Sequence, residues 1–572
     1  WTGTENSDWN NSLNWTDGIP GPCSLIRITG TPLNQPIITS TEHQQVFSLM
    51  IAAGASLTLD EGSALTVGGN VVTNGDLNIN SAPYSEPNGL ISTGSLIVKG
   101  SSTGNVTFNR YLRPDDQTGD KHLFSSPVGG QNIPEFRKTY TDEIDYLRTW
   151  DEFGGVWSEV VADNFISGKG YNVYQKTNSD GLFSFTGSVV NSASIQATSP
   201  FEDPYLSRGT DPYGNTDPTT ISWTDGRGYI SGSWANWGGG GWNLLGNPFT
   251  SAMDASIFIT TNSGSLDPYY QAIYVYDGVN AAYQYYAVPI SGFDPFVTPG
   301  GSRGSIIQAG QGFMVMANYD DAPISFTPEM RTHSTGTVLL KSAAEEDPWP
   351  GLQLKVKQGD KESLTTIVYN NEMSTGLDPG YDLGQLASGR PVEIYTILAA
   401  KDEGVNLARQ ALPVAGADTI VVSVGIDSET GGEVTFSAYT VPLGTNKFWL
   451  EDRLTGIFTD LARNAYTVTL PAKTYGTGRF YLKSASTATS IETPDPEPGL
   501  RIWTSNGKVI IKGEVSEQAR CEVYYVNGGK ILDMRLTGGE LNTIDLPGGS
   551  KGMLIVRVVD GAKATTRKVA LL

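Results

Sequence analysis

Short stretches of alternating apolar and polar residues follow one another along almost the whole chain. In the first hundred residues they recur roughly every 8–10 positions, each closed by glycine or another small residue. The predicted strands there are Val46–Ile51, Ser56–Leu59, Ala64–Val67, Asp76–Ile79, Ser95–Val98 and Asn105–Phe108. Pieces this short cannot bury an apolar face alone and should stack. For residues 1–112 we predict a solenoid-like β domain, with a stacked-hairpin sandwich or an ordinary meander as the alternatives.

Residues 113–336 contain further strand patterns that predict a β-sandwich or jelly roll. Alternation is clear at Tyr274–Tyr276 and Phe313–Met316. The other strand-like pieces are HLFSSPVGG, GKGYNVYQK, FSFTGSV, GWNLLGNPF and AIYVYDG.

Residues 337–485 predict a second β-sandwich, because strand patterns recur there at regular spacing. The seven candidates are GLQLKVKQ, SLTTIVYN, TIVVSVGI, EVTFSAYT, NKFWLED, AYTVTL and GRFYLK. For residues 398–410 the alternatives are a short helix and a surface loop. The Ser/Thr-rich and then Pro-rich, acidic stretch 486–499 is typical of a semi-extended linker.

Residues 500–572 predict a small seven-stranded, immunoglobulin-like sandwich. Its candidate strands are Leu500–Thr504, Lys508–Gly513, Cys521–Val526, Lys530–Arg535, Leu541–Leu546, Gly552–Val559 and Thr566–Leu572. The fold class is therefore all-β: tandem sandwich or jelly-roll domains, with a solenoid-like or meander segment before them and the seven-stranded sandwich last.

Charge and composition narrow the function. The net charge of −22, from 60 acidic and 38 basic residues, repels phosphate backbones and argues against a nucleic-acid partner. No run of eighteen apolar residues occurs, so no membrane span is predicted. The chain begins at Trp1, as expected of a mature chain after signal removal. Cys23 and Cys521 could form one long-range bridge, or they could be two isolated buried thiols.

The last segment resembles the C-terminal sorting domain of cargo proteins of the type IX secretion system of Bacteroidetes-like bacteria. The residues that carry the resemblance lie in NGKVIIKG (506–513), CEVYYVNGGKIL (521–532), LNTIDLPGGSKGMLIVRVVDG (541–561) and RKVALL (567–572). The matching positions are Gly507, Tyr524, Gly529, Lys530, Gly552, Val556 and Lys568. One departure is Met553–Leu554, where the family has a tyrosine.

The resemblance implies export across the outer membrane of a Gram-negative bacterium, with the translocon and its sorting machinery as partners. The expected location is extracellular or on the outer cell surface. In the family this domain is often removed by a protease, and the product is joined to surface lipopolysaccharide. Large cargo proteins of this system also resemble the rest of the chain, more loosely, in pieces such as LFSSPV, GWNLLGNPF and GQGFMV.

Catalytic patterns are few. Gly300–Gly304 fits G-x-S-x-G, but its flanks predict a loop and a strand where a nucleophile elbow needs a strand and a helix. His43, His122 and His333 have no metal-ligand spacing and are interpreted as surface or hydrogen-bonded residues. No pair of carboxylates stands out as a glycosidase pair. We therefore predict a protein that is not an enzyme.

Two loops are rich in oxygen ligands of the kind that calcium prefers. The candidate ligands are Asp203, Asp211, Asn215 and Asp217, and Asp115, Asp116 and Asp120 form a second acidic cluster. The alternative is a set of plain polar turns, since no D-x-D-x-D-G loop is present. Calcium is the one cofactor that these loops suggest.

An aromatic group in and after a glycine-rich loop is a candidate interface. It contains Trp223, Trp234, Trp237 and Trp242. These rings could stack on a polysaccharide or on a second subunit, with the alternative that they form sandwich core. The sequence thus predicts a structural or adhesive surface protein that assembles into fibres, with a glycan-binding surface module as the alternative and a secreted hydrolase last.

Overall fold

Strands make up most of the described chain, which is all-β as predicted. This computed structural model describes residues 1–82, 92–112, 122–151, 156–176, 179–197, 241–277, 282–287, 306–318, 321–333, 349–385, 391–400, 406–485, 500–505, 508–525, 529–547, 552–561 and 563–571. Within these ranges there are two α-helices, α1 (Ile133–Thr139) and α2 (Ala255–Thr261). Neither is long and apolar enough to cross a membrane.

The first strands wind into a three-sided parallel solenoid. In chain order they are β1 (Leu25–Ile28), β2 (Ile37–Ile38), β3 (His43–Val46), β4 (Ser48–Ile51), β5 (Ser56–Leu59), β6 (Ala64–Val67), β7 (Val71–Thr73), β8 (Asp76–Asn80), β9 (Ser95–Val98), β10 (Ser102–Thr103) and β11 (Val106–Tyr111). Strands β1, β4, β7 and β10 form one side, β2, β5, β8 and β11 the second, and β3, β6 and β9 the third. All these pairs are parallel, which is the pairing of the predicted solenoid rather than of a meander.

The alternation of the sequence explains the solenoid core. In each strand every second side chain points inward and stacks on its partner in the next rung, as in the buried column Val46, Val67 and Val98. The predicted strand Val46–Ile51 is in fact two strands on different sides, because the chain turns a corner at exposed Phe47.

The close approach of successive rungs requires glycine at the turn between β10 and β11. Gly104 has φ +85°, and a Cβ there would lie 1.9 Å from the carbonyl oxygen of Thr73. No other residue type can adopt this conformation without displacing the rung below.

Three tryptophans close the open end of the solenoid. The rings of Trp1 and Trp9 each meet Trp15 edge to face with centroids 4.8 Å apart, and all three are buried. The indole N–H of Trp15 donates to the carbonyl oxygen of Trp9 at 2.7 Å. This aromatic cap covers apolar side chains that would otherwise face water.

The solenoid core continues into the next part of the chain. The following strands are β12 (His122–Phe124), β13 (Val128–Gly129), β14 (Ile144–Asp151), β15 (Val156–Glu159), β16 (Tyr171–Gln175), β17 (Leu182–Val189) and β18 (Ala193–Ala197). Strand β17 pairs antiparallel with β11, so one sheet crosses residue 112. One apolar cluster extends from the tryptophan cap to Phe183 and Phe185 on β17.

A second core lies between residues 190 and 333. Its strands are β19 (Trp242–Gly246), β20 (Ala252–Asp254), β21 (Ile273–Asp277), β22 (Ala282–Tyr286), β23 (Ile306–Ile307), β24 (Gly312–Met316), β25 (Ala322–Phe326) and β26 (Arg331–Thr332). The main sheet has the order β19–β24–β21–β22, and β18 pairs with β25. Helix α2 packs Phe258 against Phe313 of this sheet, with ring centroids 5.5 Å apart.

The third region forms one large curled sheet. Its strands are β27 (Gly351–Gln358), β28 (Lys361–Tyr369), β29 (Leu383–Gly384), β30 (Val392–Thr396), β31 (Leu407–Leu412), β32 (Val421–Ser428), β33 (Gly432–Val441), β34 (Lys447–Asp452), β35 (Ile457–Asp460), β36 (Tyr466–Leu470) and β37 (Phe480–Ala485). The order is β35–β34–β37–β32–β30–β31–β28–β27–β33–β36, with β29 beside β31. Phe436 on β33 and Phe480 on β37 are far apart in this order, yet their rings lie 4.8 Å apart, so the sheet folds over itself.

All seven strands predicted for this region are present, and four more accompany them. The expectation of a helix or surface loop at 398–410 is wrong for residues 407–410, which belong to the fully buried strand β31. Both faces of β31 are covered, so it shows no alternation between apolar and polar residues.

The last region is a two-sheet sandwich with the seven predicted strands. They are β38 (Arg501–Ser505), β39 (Lys508–Val515), β40 (Arg520–Tyr525), β41 (Lys530–Arg535), β42 (Gly539–Asp545), β43 (Gly552–Asp560) and β44 (Lys563–Leu571). The sheets β38–β39–β42 and β41–β40–β43–β44 enclose a separate apolar core. This module contacts the third region, where Thr504 pairs with Tyr475 and the Lys512 ammonium donates to the carbonyl oxygen of Arg453.

Both cysteines are free thiols. Cys521 lies in the core of the last module, as expected of an isolated buried thiol. Cys23 is exposed instead, because it lies in the turn that leads into β1.

Candidate binding cleft

The third side of the solenoid presents a row of side chains away from the core. Strands β3, β6 and β9 pair in register, which places Gln45, Thr66 and Ile97 next to one another across three rungs. Neighbouring strands lie roughly 4.8 Å apart, so the row is evenly spaced. This row forms the floor of a surface cleft.

The wall of the cleft comes from a short turn and β26, more than two hundred residues later in the chain. Arg331 fixes this wall, because its Nη1 donates at 2.7 Å to both the carbonyl oxygen of Val98 and the Oδ1 of Asn191. Its Nε donates to the carbonyl oxygen of Pro328 at 3.2 Å. The guanidinium is therefore held in one orientation, and burial lowers its pKa from the usual value.

His333 joins the wall to the floor. Its Nδ1 lies 2.7 Å from the Oγ of Ser95 on β9, and its Nε2 lies 2.8 Å from the Oγ1 of Thr66 on β6. A hydroxyl can donate or accept, so a neutral imidazole is satisfied at both nitrogens in either tautomer. Burial, and to a smaller extent the neighbouring His43, lower the pKa of His333 to about 4, which keeps the ring neutral near pH 7.

Floor and wall border an open surface cleft of about 600 Å³. Beyond the row on the solenoid, it is lined by Lys99, Glu329, Arg331 and His333, together with Pro328 and Thr332. His333 is neutral, so the charged groups of the lining are Lys99, Arg331 and Glu329. Two cations and one carboxylate make the cleft locally positive, although the whole chain has a net charge of −22. Its amide, hydroxyl and charged groups are suited to hold a polar ligand.

Sequence reasoning did not find this cleft. His333 of the wall and Thr66 of the floor are 267 positions apart, and no local motif joins them. The interpretation of His333 as a hydrogen-bonded residue is confirmed, but its role as a clamp between two regions had no signal in the sequence.

The predicted calcium ligands lie outside the described residues. This applies to Asp203, Asp211, Asn215 and Asp217, to the second acidic cluster at 115–120 and to Gly300–Gly304. The part of the chain that the structure describes contains no group of three or more His, Cys, Asp or Glu side chains placed to hold a metal ion. The calcium site stays a prediction.

Of the four tryptophans predicted to form an interface, only Trp242 lies in the described chain; Trp223, Trp234 and Trp237 fall outside it. Trp242 is 0% exposed, and its ring meets Tyr270 and Tyr274 edge to face at 5.3 and 5.1 Å. As placed here its ring cannot stack on a surface ligand, because apolar and aromatic side chains surround it. For Trp242 the structure corresponds to the core alternative.

The residues that carried the resemblance to a sorting domain occupy defined positions in the last module. Lys530 starts β41, bridges Glu522 and Asp533 at 2.9 Å each and lies 5.3 Å from the centre of the Tyr524 ring. Val556 on β43 is fully buried. The others are Gly529 before β41, Gly552 at the start of β43 and Lys568 within β44, whereas Gly507 lies outside the described residues.

Comparison with known proteins gives a family but no activity. No curated protein matches the chain. Among solved structures, the adhesin domain of Epf from Streptococcus pyogenes matches at 10% identity, over 38% of this chain and 91% of the adhesin chain. The TM-score of 0.11 is too low to support any argument. A family described as a domain of unknown function, DUF8693, matches residues 1–483. Since that match covers the solenoid and both following regions, this chain belongs to the DUF8693 family.

Proposed function

We propose that this chain is a non-enzymatic structural or adhesive surface protein that is exported by type IX secretion, with residues 500–572 as its sorting domain. The observation that carries the proposal is the last module. It has its own core and two sheets, and it lies beyond the family match that ends at residue 483. Its described motif residues support the proposal in that Tyr524, Lys530, Gly552, Val556 and Lys568 lie in strands and Gly529 directly precedes β41.

The remaining architecture is compatible with a rigid surface protein. Parallel solenoid rungs and curled sheets bury continuous apolar cores, so the described regions need no disulfide to be ordered. The contacts of Thr504 and Lys512 with the third region support a module that remains part of the folded chain.

Export is tested by fusion and truncation in a bacterium that has type IX secretion. Residues 484–572 joined to a periplasmic reporter should carry it outside the cell, and this export should cease when the translocon is deleted. The chain that ends at residue 485 should stay in the periplasm. If that truncated chain is still exported, the proposal is wrong.

A point variant makes the same test without deleting a domain. Lys530→Ala removes a side chain at a motif position, and Lys563→Ala removes an equal charge at an exposed position of the same module that lies outside the motif. We expect export to fall for Lys530→Ala and to be unchanged for Lys563→Ala. Equal export of both would remove Lys530 from the sorting signal.

Self-association into fibres is the finer part of the proposal. It is supported by sheet edges such as β41 and β44, whose outer backbone groups have no strand partner among the described residues. Sedimentation of the purified chain over a wide range of protein and calcium concentrations should show large rod-like species. Monomer at every condition would exclude polymer formation.

A further inference from the structure

We propose that the cleft between the solenoid and β26 binds a short saccharide that carries a carboxylate. The inference deepens the adhesive part of the proposed function and rests on it, since a surface protein meets such sugars. It does not depend on the export route, because binding is measured on the purified chain.

The shape of the cleft is the first argument. Small-molecule sites have volumes of roughly 300–1,000 Å³ and are largely formed before the ligand arrives. The volume of about 600 Å³ lies within that range, and the cleft is open to solvent, so it suits a short ligand that stays partly exposed. The floor is a strand row of the solenoid, and the wall is clamped by Arg331 and His333, so little order has to be gained on binding.

The charges of the cleft select an acidic ligand. Lys99 is exposed, and the Arg331 guanidinium is held in place by three acceptors. Lys99 and Arg331 both line the cleft and favour a carboxylate, whereas Glu329 disfavours a ligand that is anionic at every position. A ligand with a single acid group and many neutral polar groups satisfies both.

The uncharged lining fits sugar hydroxyls. The Gln45 amide and the Glu329 carboxylate can each form hydrogen bonds with hydroxyls. Thr66 has a free lone pair besides its bond to His333, since a hydroxyl has one donor and two acceptor positions. Ile97, next to Thr66 in the row, is 9% exposed and is the apolar strand residue of the lining.

The test is an oligosaccharide array followed by titration calorimetry with the full chain. The array holds oligosaccharides with galacturonic, glucuronic or sialic acid, each beside a counterpart whose carboxyl group is reduced to an alcohol. We expect binding to at least one acidic oligosaccharide and at least tenfold weaker binding to its reduced counterpart. An array without binding in the acidic set overturns the proposal, and so does equal binding of an acidic sugar and its reduced form.

Variants locate the site. Lys99→Glu should weaken binding at least tenfold, and Gln45→Ala should weaken it severalfold. Lys138→Glu is the matched control, because Lys138 is exposed on α1, away from the cleft, and the change in net charge is the same. If Lys99→Glu and Lys138→Glu bind equally well, the cleft is not the site. Export of the chain remains unaffected by either result, so failure here is separate from failure of the proposed function.

Discussion

Replacement of Trp242 tests whether this residue belongs to the hydrophobic core or to a binding surface. Its ring is fully buried and contacts Tyr270 and Tyr274 edge to face. Truncation of a buried tryptophan to alanine costs about 3–5 kcal/mol, and each aromatic pair is worth about 0.5–1.5 kcal/mol within that total. Since two such pairs are lost, we expect Trp242→Ala to lie near the upper end.

Trp242→Phe is the matched variant. It keeps an aromatic ring, and it removes an indole N–H that is buried without an acceptor among the described residues. Loss of an unsatisfied donor offsets part of the lost volume, so we expect a cost of about 1–2 kcal/mol.

Hydrogen exchange followed by mass spectrometry measures both effects locally, in peptides that cover β19 and its partner β24. A loss of 3–5 kcal/mol corresponds to exchange that is roughly 10²–10⁴-fold faster for Trp242→Ala. Substitutions on the surface usually stay within about 0.5 kcal/mol. If Trp242→Ala changes protection by no more than that, the ring is not core and the surface-binding alternative returns.

Three further predictions concern pH, backbone conformation and thiols. The pKa of His333 is lowered from 6.5 to about 4, mainly by burial, so the unfolded chain takes up this proton first. The contribution of neutral His333 to stability is complete above about pH 6.5 and is lost as the pH falls toward 4. The Tm measured across this window should depend less on pH in His333→Gln than in the unchanged protein. Identical Tm profiles of the two proteins would contradict the lowered pKa of His333. Gly104→Ala should destabilise the solenoid by more than about 2 kcal/mol, whereas Gly18→Ala, which has a similar φ but open space around it, should cost about 1 kcal/mol in the same urea titration; equal costs would refute the clash. A thiol reagent should label Cys23 alone in the native protein and both thiols in denaturant, because burial raises the pKa of Cys521 to about 12; two reactive thiols without denaturant would show that Cys521 is accessible.

Strands were easiest to predict from the sequence where one face of a sheet is buried and the other is exposed to solvent. All seven strands of the last module were predictable for that reason, and so were most rungs of the solenoid. Strands β30 and β31 were missed because both of their faces are covered and their residues do not alternate.

Capping residues mark the starts of both short helices, whereas the pattern of apolar and polar residues does not reveal them. Asn132 caps α1 by accepting from the N–H of Glu135, with a proline in the first turn. Asp254 caps α2 by accepting from the N–H groups of Ser256 and Ile257. A search for capping residues would have found these starts. Seven residues are too few for a helical period to stand out among strands.

Alternation, turn residues and charge are local properties, so the sequence alone determined the all-β class, the repeat of the solenoid and the extent of the last module. Tertiary structure alone decided which side chains meet across long stretches of chain. It brought His333 to Thr66 and Ser95, placed Arg331 over Val98 and enclosed Trp242 between two tyrosines. The physical reason is that a clamp or a cleft depends on how sheets curl and pack, and packing joins residues that no periodicity of the sequence connects.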